Sequence, residues 1–580
     1  MGFLDRGRPG RMRAGRPRSE LRGLRASVVY EKLQRLGDLT MADADYVVVG
    51  AGSAGCVVAA RLSEDGARVV LLEAGPPDRD PMIHIPAGVL RVLNNAKINW
   101  NYLSEGEPGT AGRALQWPRG KTLGGTSSIN GMLYVRGNPA DYDGWAQMGC
   151  RGWSYDEVLP FFRKSETYRG GGDPKYRSQG GPLIVEDYRT ILPLTHAFVG
   201  AAQEAGFPLT PDYNGKTQEG VAYSQMTRRG RLRGSTARTF LAQAKGRANL
   251  RIITDAIATK LLFDGKRCTG VAYRQNGVDR QELAAREVIV CGGAVNSPHL
   301  LQISGIGPAS HLAAIGVPVV HDLPGVGANL NDHYVIRVSH RVTGAVTINQ
   351  LARGLRLARE VAKWATIGNG ALTFGVTSAM VFCRSREGLS SPDLQLLFTP
   401  ASYAQGVFRQ LEREPGMTVA VCPVRPESRG TIMAQSPDPL QYPAIRPNYL
   451  SAPNDLRVLI AGVAHTRKIF GQPAMAPYSV EETVPGPGVA TDEQFGEFAR
   501  NAGTNVFHPV GTCKMGTDAM AVVDPRLRVI GIEGLRVIDA SVMPCVTTGN
   551  TNAPTIMIGE KGAAMIREDA RAEPAAAAAA

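Results

Sequence analysis

The stretch Tyr46-Val-Val-Val-Gly-Ala-Gly-Ser-Ala-Gly55 decides the fold, because a run of strand-favouring residues passes directly into three closely spaced glycines. Residues 56–62 read Cys-Val-Val-Ala-Ala-Arg-Leu and predict a helix that Ser53 opens. In such a strand–turn–helix unit, Gly50 permits the tight turn, Gly52 leaves the backbone open to a pyrophosphate, and Gly55 lets the helix lie close to the strand. The amides and dipole of the first helical turn then favour phosphate.

A second buried strand, Arg68-Val-Val-Leu-Leu72, ends on Glu73, about twenty residues beyond the glycines. A carboxylate in this position can accept both ribose hydroxyls of an adenosine. The strand before the glycines, the helix after them and this terminal acid agree with one another. The sequence therefore predicts an α/β fold with a Rossmann-like dinucleotide-binding unit, and these residues alone do not distinguish NAD from FAD.

The bulk composition limits the class of protein. At 580 residues the chain is too long for one core, so we expect two closely joined domains or one large domain with an elaborated second lobe. A hydrophobic share of 43% and a charged share of 20% are typical of a soluble globular enzyme. The net charge of +13 lies partly in residues 1–40, which hold ten basic and four acidic side chains. Since aromatic and basic residues are not interleaved, we predict no nucleic-acid partner.

Cysteine and histidine spacing argues against bound metals and disulfide bonds. The eight cysteines stand singly, without a Cys-x-x-Cys pair, and the nine histidines show no His-Glu-x-x-His or similar spacing. We therefore predict no metal site and no disulfide framework, and a reducing compartment.

The ends of the chain carry little folding information. Residues 1–40 are rich in Arg-Pro and Gly-Arg pairs and lack the apolar core of a signal peptide, so we expect a disordered basic extension, with an organelle-type transit segment as the competing interpretation. Residues 569–580 end in an alanine run and are predicted to be a disordered tail. No run of eighteen apolar residues exists, which excludes a spanning helix. We expect a cytoplasmic protein, and peripheral attachment to the inner membrane stays open.

Two further glycine-rich segments return to the predicted nucleotide domain. The loop Gly120-Lys-Thr-Leu-Gly-Gly-Thr-Ser-Ser-Ile-Asn-Gly131 brings backbone close enough for a flat ring or a phosphate, or is simply a turn. Residues 249–263 and 267–273 predict a hairpin, and the strand at 287–291 runs into a glycine turn and a helix at 292–307. The nucleotide domain is therefore predicted to be discontinuous.

The pattern changes after residue 334. Strand candidates at 394–398, 417–422 and 430–433, with a helix at 351–364, predict an antiparallel sheet flanked by helices that roofs the cofactor. We accordingly predict a nucleotide-binding domain formed by residues 41–190, 230–334 and 501–568. A substrate-binding domain is predicted from residues 191–229 and 335–500.

Five motifs together resemble a known family. The opening glycine motif, residues 120–131, residues 293–307, His508-Pro-Val-Gly-Thr-Cys-Lys-Met-Gly516 and Gly549-Asn-Thr-Asn-Ala-Pro-Thr555 are similar, in this order, to those of the glucose-methanol-choline (GMC) oxidoreductases, which are flavoenzymes. The resemblance covers roughly residues 43–566 and is strongest to the choline dehydrogenase-like and alcohol dehydrogenase branch. It implies FAD, whereas the spacing alone indicates only a dinucleotide.

The resemblance also implies which residues contact FAD. The pyrophosphate is expected over the first glycines, the adenosine ribose on Glu73, the adenine near the backbone of Ala258, and the flavin ring near the second glycine loop. Some members tether the flavin through a histidine where this chain has Ile129, so we expect noncovalent FAD. The expected cofactor-binding residues are Gly50, Gly52, Ser53, Ala54, Gly55, Glu73, Gly125, Thr126, Asn130, Gly131, Ala258, Asp539, Ala540, Asn552 and Thr555.

The resemblance places catalysis on His508 and Asn550. Hydride leaves a carbinol carbon easily only if a base takes the hydroxyl proton, and histidine suits this role near neutral pH. Asn550 is expected to hold the same oxygen and aim the carbinol hydrogen at flavin N5. We interpret His333 as a structural residue between the lobes rather than a residue at the reacting carbon. The aromatic residues Trp100, Tyr102 and Trp145 line a pocket or, as large aromatics more often do, fill the core.

The implied activity is FAD-dependent oxidation of a primary alcohol, choline-like, aliphatic or aromatic, to an aldehyde. The electrons are expected to pass to a quinone or an artificial acceptor. The alternatives on the same fold are an oxygen-using alcohol oxidase, a hydroxynitrile lyase and a photodecarboxylase, and a non-enzymatic flavin-binding role is a third class. The substrate and the oligomeric state stay open.

Overall fold

The computed structural model describes residues 42–404 and 410–579, with side chains described up to residue 572. The predicted extension at 1–40 lies outside the described residues. All elements below belong to one compact unit, Ala44–Ala580, which contains both predicted lobes, and the predicted domain boundaries stay a prediction.

Fourteen strands form the two main sheets of this described part. They are β1 (Ala44–Val49), β2 (Val69–Leu72), β3 (Gly220–Tyr223), β4 (Leu250–Ile253), β5 (Ala256–Asp264), β6 (Arg267–Gln275), β7 (Val278–Val290), β8 (Tyr334–Val342), β9 (Ala379–Cys383), β10 (Leu394–Thr399), β11 (Gly416–Pro423), β12 (Ser479–Val484), β13 (Thr504–Asn505) and β14 (Leu535–Val537). Smaller sheets pair strands at 102–103 with 116–117, 306–307 with 321–322, and 431–433 with 444–446, and a four-stranded sheet joins 166–168, 183–187, 225–229 and 232–233.

Helices flank both main sheets. They are α1 (Ser53–Leu62), α2 (Pro81–His84), α3 (Val89–Val92), α4 (Pro139–Gln147), α5 (Tyr155–Ser165), α6 (Pro193–Glu204), α7 (Ala242–Ala244), α8 (Gly293–Ile303), α9 (Ala309–Ala314), α10 (Ile348–Leu351), α11 (Gly354–Ile367), α12 (Pro453–Phe470), α13 (Asp492–Ala502) and α14 (Asn552–Ala579). None of the helices in the described ranges is both long enough and apolar enough to cross a bilayer.

The first sheet has the order β4-β2-β1-β7-β6-β5, with β14 paired to β7. The four neighbouring strands β4, β2, β1 and β7 are parallel to one another, and β14 is parallel to β7. The hairpin β5–β6 joins β7 through antiparallel pairing. Strands β1 and β2 are almost entirely buried because helices cover them, which explains their runs of valine and leucine. The return of 287–291 to the first sheet is confirmed. The predicted hairpin is confirmed only from residue 256, because residues 250–253, predicted as part of its first strand, form the separate strand β4 that pairs parallel with β2.

The C-terminal helix α14 packs against α1. The two helices approach closely at Gly559, and Arg61 of α1 forms a 2.7 Å ion pair with the buried carboxylate of Glu560. The prediction of a disordered tail from residue 569 is wrong, since α14 continues to Ala579. Asp569 holds this end in place through ion pairs with Arg526 at 2.8 Å, Arg528 at 2.5 Å and Arg536 at 2.6 Å.

The second sheet has the order β12-β8-β11-β10-β9-β3, with β13 on β8, and every pairing is antiparallel. The predicted antiparallel sheet flanked by helices is therefore confirmed. Strand periodicity divides its side chains between two faces. Leu396 and Phe398 of β10 pack towards α6 and α12, where the rings of Phe198 and Phe398 stack 4.2 Å apart. The residues that alternate with them, Leu397 and Thr399, line a large cavity between this sheet and the first.

Candidate active site

The glycine turn after β1 leaves bare backbone at one end of the cavity. Gly50 has φ +102°, and a Cβ on it would lie 2.6 Å from the carbonyl oxygen of Cys291. A Cβ on Gly55 would lie 1.8 Å from the carbonyl oxygen of Gly50, so Gly55 serves the packing of α1 on β1 and does not line the cavity. A Cβ on Gly52 would meet nothing closer than 3.9 Å. Gly52 is therefore open to the cavity at the N-terminus of α1, where backbone amides favour phosphate.

Glu73 follows β2 and lies at the adenosine end expected from the sequence. Its carboxylate accepts hydrogen bonds from the amides of Ala51 at 3.0 Å and Gly75 at 2.9 Å. Burial raises the pKa of Glu73 to about 7, against the opposing effect of these hydrogen bonds and of Lys121. A carboxyl group held in this way faces the cavity and can bind ribose hydroxyls.

The second glycine loop lies directly against the first. A Cβ on Gly125 would lie 2.7 Å from the Cα of Gly52, so only glycine allows the two turns to approach this closely. Asn130 is held by a 2.8 Å hydrogen bond from Arg233 to its Oδ1, and it lines the cavity. Ile129 is almost fully buried in an apolar cluster that includes Ile83. This surface fits a flat, partly apolar ring.

The C-terminal segment completes the cavity wall. Asp539 accepts hydrogen bonds from the amide of Gly293 at 2.8 Å and from the hydroxyl of Ser297. Ser53 donates a 2.8 Å hydrogen bond to Asn552, which joins the first glycine turn to the start of α14. Of the seventeen residues predicted for the site, all except Gly55 line this one cavity: Gly50, Gly52, Ser53, Ala54, Glu73, Gly125, Thr126, Asn130, Gly131, Ala258, His508, Asp539, Ala540, Asn550, Asn552 and Thr555.

His508 is the centre of a hydrogen-bonded chain at the other end of the cavity. Its Nδ1 lies 3.0 Å from Nδ1 of His333, and its Nε2 lies 3.0 Å from Nδ2 of Asn550. The other nitrogen of His333, Nε2, lies 3.3 Å from the carbonyl oxygen of Val424. Burial lowers the pKa of His333 to about 4, so this ring is neutral near pH 7.

The chain of partners determines where the protons lie. A carbonyl oxygen only accepts, so His333 donates from Nε2 to Val424, and its neutral Nδ1 must accept. His508 therefore donates from Nδ1, which leaves the lone pair on its Nε2 to accept from the amide of Asn550. The Oδ1 atom of Asn550 is buried without a hydrogen-bond partner among the described residues. His508 and Asn550 both line the cavity, and the pair contains one ring nitrogen without a proton.

His333 has a contact that the sequence did not predict. It was interpreted as a structural residue between the lobes rather than a residue at the reacting carbon, and its ring, which does not line the cavity, contacts the ring of His508 directly. The neighbouring Asp332 accepts hydrogen bonds from the amide of His508 at 2.8 Å and from the hydroxyl of Tyr449 at 2.6 Å. Burial raises the pKa of Asp332 to about 6. The sequence signal was two consecutive polar residues immediately before a strand of the lobe predicted to roof the cofactor.

The aromatic candidates divide between cavity and core. Trp100 and Tyr102 line the cavity together with Tyr442, and the ring centroids of Tyr102 and Tyr442 are 4.6 Å apart. The ammonium of Lys121 is 4.7 Å from the ring of Trp100. Trp145 lies instead in the core beneath the first sheet. Among the described residues, no group of three or more potential ligands could hold a metal ion.

A dinucleotide cradle that faces a histidine with an unprotonated nitrogen defines a nucleotide-dependent oxidoreductase. The chain belongs to the GMC oxidoreductase family, whose N-terminal model matches residues 44–335 and whose C-terminal model matches residues 426–559. It is an FAD-dependent oxidoreductase that acts on CH–OH groups.

Relatives extend over nearly the whole chain. Mitochondrial choline dehydrogenase from Homo sapiens is 42% identical over 573 residues, which are 97% of this chain and 95% of the relative. An alcohol dehydrogenase [acceptor] from Pseudomonas putida is 43% identical over 530 residues, which are 90% of this chain and 95% of the relative. Among solved structures, pyridoxine 4-oxidase from Mesorbium loti matches with a TM-score of 0.83 and 30% identity, over 91% of this chain and 99% of the other. These matches agree with the fold expected from the sequence.

Proposed function

We propose that the protein oxidises a primary alcohol to an aldehyde with noncovalently bound FAD, with His508 as the base and Asn550 as the residue that positions the substrate. The observation that carries this proposal is the hydrogen-bonded chain from Val424 through His333 to His508, which leaves Nε2 of His508 unprotonated on the cavity side.

His508, Asn550 and His333 have separate roles in alcohol oxidation. A bound alcohol takes the place of the Asn550 amide at Nε2 of His508: its hydroxyl donates to Nε2, which takes the proton as the carbonyl forms. The side-chain amide of Asn550 then donates to the alcohol oxygen and positions it. Bound FAD supplies the two-electron acceptor. His333 accepts from Nδ1 of His508 and so holds the imidazole in the basic tautomer.

The lining of the cavity supports the proposal that FAD is bound noncovalently. Gly52 and the start of α1 provide the surface for the pyrophosphate, Glu73 the contact for the adenosine ribose, and Asn130 with Gly125 the surface for the ring. Ile129 offers no nucleophile where the resemblance places a tethering histidine. Precipitation of the protein with acid is therefore expected to release all of the yellow colour into the supernatant, whereas colour that stays in the pellet would contradict this part of the proposal.

The test of the proposed reaction is the anaerobic bleaching of the flavin by a panel of primary alcohols. Replacing His508 by alanine is expected to slow bleaching by about 10²- to 10⁴-fold, because a general base contributes this much to such a reaction. His465→Ala is the matched control, since His465 is partly exposed on α12, does not line the cavity, and bonds the backbone carbonyl of Arg384. An unchanged rate in His508→Ala, with FAD bound, would contradict the proposal. Reoxidation by oxygen, a quinone and a dye then identifies the acceptor class.

We also propose that the protein attaches peripherally to anionic membranes and delivers its electrons to a quinone there. Helix α11 is almost wholly exposed: Leu355 is 90% and Ile367 is 72% exposed, which is unusual for large apolar side chains. Four basic residues belong to or immediately precede this helix, namely Arg353, Arg356, Arg359 and Lys363. Its one acidic residue, Glu360, is bound by Lys363 at 2.6 Å. Exposed apolar side chains with such a positive charge fit an anionic lipid surface.

The position of α11 supports the same acceptor. The helix packs against the turn at 371–373, and Val376, just beyond this turn, lines the cavity. A membrane at α11 would therefore bring a lipid-soluble quinone close to the substrate end of the site.

Sedimentation of the full-length holoenzyme with phosphatidylcholine vesicles, with and without phosphatidylglycerol, tests this attachment. Binding is expected only to the anionic vesicles and is expected to disappear in Leu355→Glu/Ile367→Glu. Leu440→Glu is the matched control, since Leu440 is exposed outside this helix. Equal sedimentation of the double variant and the control would contradict the proposal.

A further inference from the structure

Arg337 places a positive charge in the wall of the substrate lobe. It lies on β8 between Ile336 and Val338, which pack towards the helical flank of the second sheet. Because side chains alternate along a strand, Arg337 points to the opposite face and lines the cavity. It is paired in register with Ala420 of β11, which lines the same wall.

The surroundings of Arg337 are largely apolar. Val376, Leu397 and Val506 line this wall and pack against a small core cluster that includes Val335, two residues before Arg337. The guanidinium lies over the ring of Tyr403, with its carbon 5.2 Å from the ring centroid. Burial lowers the pKa of Arg337, and Tyr403 opposes this effect. The arginine remains charged near pH 7, because its ordinary pKa is far higher.

No carboxylate of the described residues pairs with Arg337 within ion-pair distance. The contrast on the same strand is Arg341, which pairs with Glu412 at 2.8 Å and Glu414 at 3.4 Å. Residues 405–409, which lie outside the described residues, read Gln-Gly-Val-Phe-Arg and contain no acid. Arg337 is half-buried. A largely desolvated arginine without a counterion is unusual, because desolvating a charge costs free energy that a partner normally offsets.

The acids that line the cavity do not supply that partner. They are Glu73 and Asp539, and both belong to the FAD cradle. Glu73 accepts two backbone amides, and Asp539 accepts hydrogen bonds from Gly293, Ser297 and Ser541. The substrate wall of the described cavity thus carries a positive charge and no negative one.

We propose that the alcohol oxidised here is a hydroxycarboxylate, whose carboxylate is bound by Arg337 while its carbinol lies at His508. This inference rests on the proposed alcohol oxidation and adds the substrate class. The planar guanidinium can donate two parallel hydrogen bonds to a carboxylate, and the apolar wall fits the carbon chain between the two ends. A quaternary ammonium alcohol such as choline would instead bring a second positive charge to Arg337 without a carboxylate to balance it.

The experiment compares hydroxycarboxylates that end in a primary alcohol with alkanols of matched length and with choline, by anaerobic flavin bleaching of the holoenzyme. The hydroxycarboxylates are expected to have the highest kcat/KM. The preference for the acid is measured as kcat/KM for the hydroxycarboxylate divided by kcat/KM for the alkanol of matched length. Arg337→Met is expected to lower this ratio by about 10- to 100-fold, as expected for lost hydrogen bonds to a charged group. Arg341→Met, the matched control on β8, is expected to keep this ratio.

The outcomes separate this inference from the proposed function. If alkanols or choline bleach the flavin fastest, or if Arg337→Met keeps the ratio, the inference fails and the alcohol oxidation stands. If no alcohol bleaches bound FAD, the proposed function fails, and titration with butyrate decides the role of Arg337 separately. Butyrate is expected to perturb the flavin absorbance saturably in the wild type and in Arg341→Met but not in Arg337→Met. Absence of this perturbation in the wild type would also overturn the inference.

Discussion

Replacing His333 by phenylalanine tests the tautomer argument directly. Phenylalanine keeps a ring of similar size but removes the nitrogen that accepts from Nδ1 of His508 and the one that donates to Val424. The proton of His508 is then no longer held on Nδ1, and the tautomer with the proton on Nε2 gains population. That second tautomer cannot take a proton from the alcohol.

The expected loss follows from the free energy of one buried hydrogen bond. Removing one partner of such a bond costs about 1–3 kcal/mol, which corresponds to a decrease of about 5- to 150-fold in the productive tautomer. We expect kcat for alcohol oxidation to fall by this factor, with a smaller change in KM, because His333 does not line the cavity and contacts the substrate only through His508.

The assay is single-turnover flavin reduction, with flavin content and melting temperature measured for each variant. His340→Phe is the matched control, since His340 lies on β8 and bonds the hydroxyl of Ser479 at 2.8 Å. A double-mutant cycle with His508→Ala is the decisive readout. His333→Phe is expected to have no further effect once His508 is absent. Independent, multiplicative losses from the two substitutions, or wild-type kcat in His333→Phe with full FAD content, would refute the reasoning.

Three further predictions concern the cradle, the C-terminal helix and the thiols. Gly55→Ala is expected to prevent folding, because its Cβ would lie 1.8 Å from a backbone oxygen. Gly52→Ala, whose Cβ would meet nothing closer than 3.9 Å, is expected to keep the melting temperature of the apoprotein and to lose affinity for FAD. An FAD affinity equal to that of the wild type in Gly52→Ala would contradict this prediction. Asp569→Asn is expected to lower the free energy of unfolding by about 1–2 kcal/mol. A carboxylate whose pKa is lower in the folded protein than in the unfolded chain stabilises the fold at any pH above its unfolded pKa. Burial raises the pKa of Asp569, but the surrounding arginines outweigh this effect and lower it from the ordinary value of 3.8 to about 2. The contribution of Asp569 to the free energy of unfolding is therefore complete above about pH 4 and is lost as the pH falls towards about 2. Urea titrations at both ends of this range would detect the difference. All eight cysteines are free thiols, and Cys545 alone is not fully buried. Alkylation of the native protein is therefore expected to modify at most this thiol. Modification of several thiols would show that the buried cysteines are accessible to the reagent.

Much of the fold was predictable because short stretches of sequence specify its turns and strands. A backbone turn that needs positive φ or close approach requires glycine at particular positions, and Gly50 and Gly125 meet that requirement in two separate short motifs. The apolar, strand-favouring runs at 394–398 and 417–422 likewise predicted strands β10 and β11 of the second sheet. The expected end of the last helix was wrong because an alanine-rich segment says nothing about Asp569, whose three arginine partners come from a different part of the chain.

The sequence by itself determined the class of protein: a strand, a glycine turn, a helix and a terminal acid specify a nucleotide cradle, and the motifs around His508 and Asn550 specify its family. Only the tertiary structure decided the protonation of the base and the charge of the substrate wall. His333 is 175 residues from His508, and Arg337 faces the cavity because of strand parity and sheet register. Contacts of this kind depend on how distant segments pack, and no local run of residues records that packing.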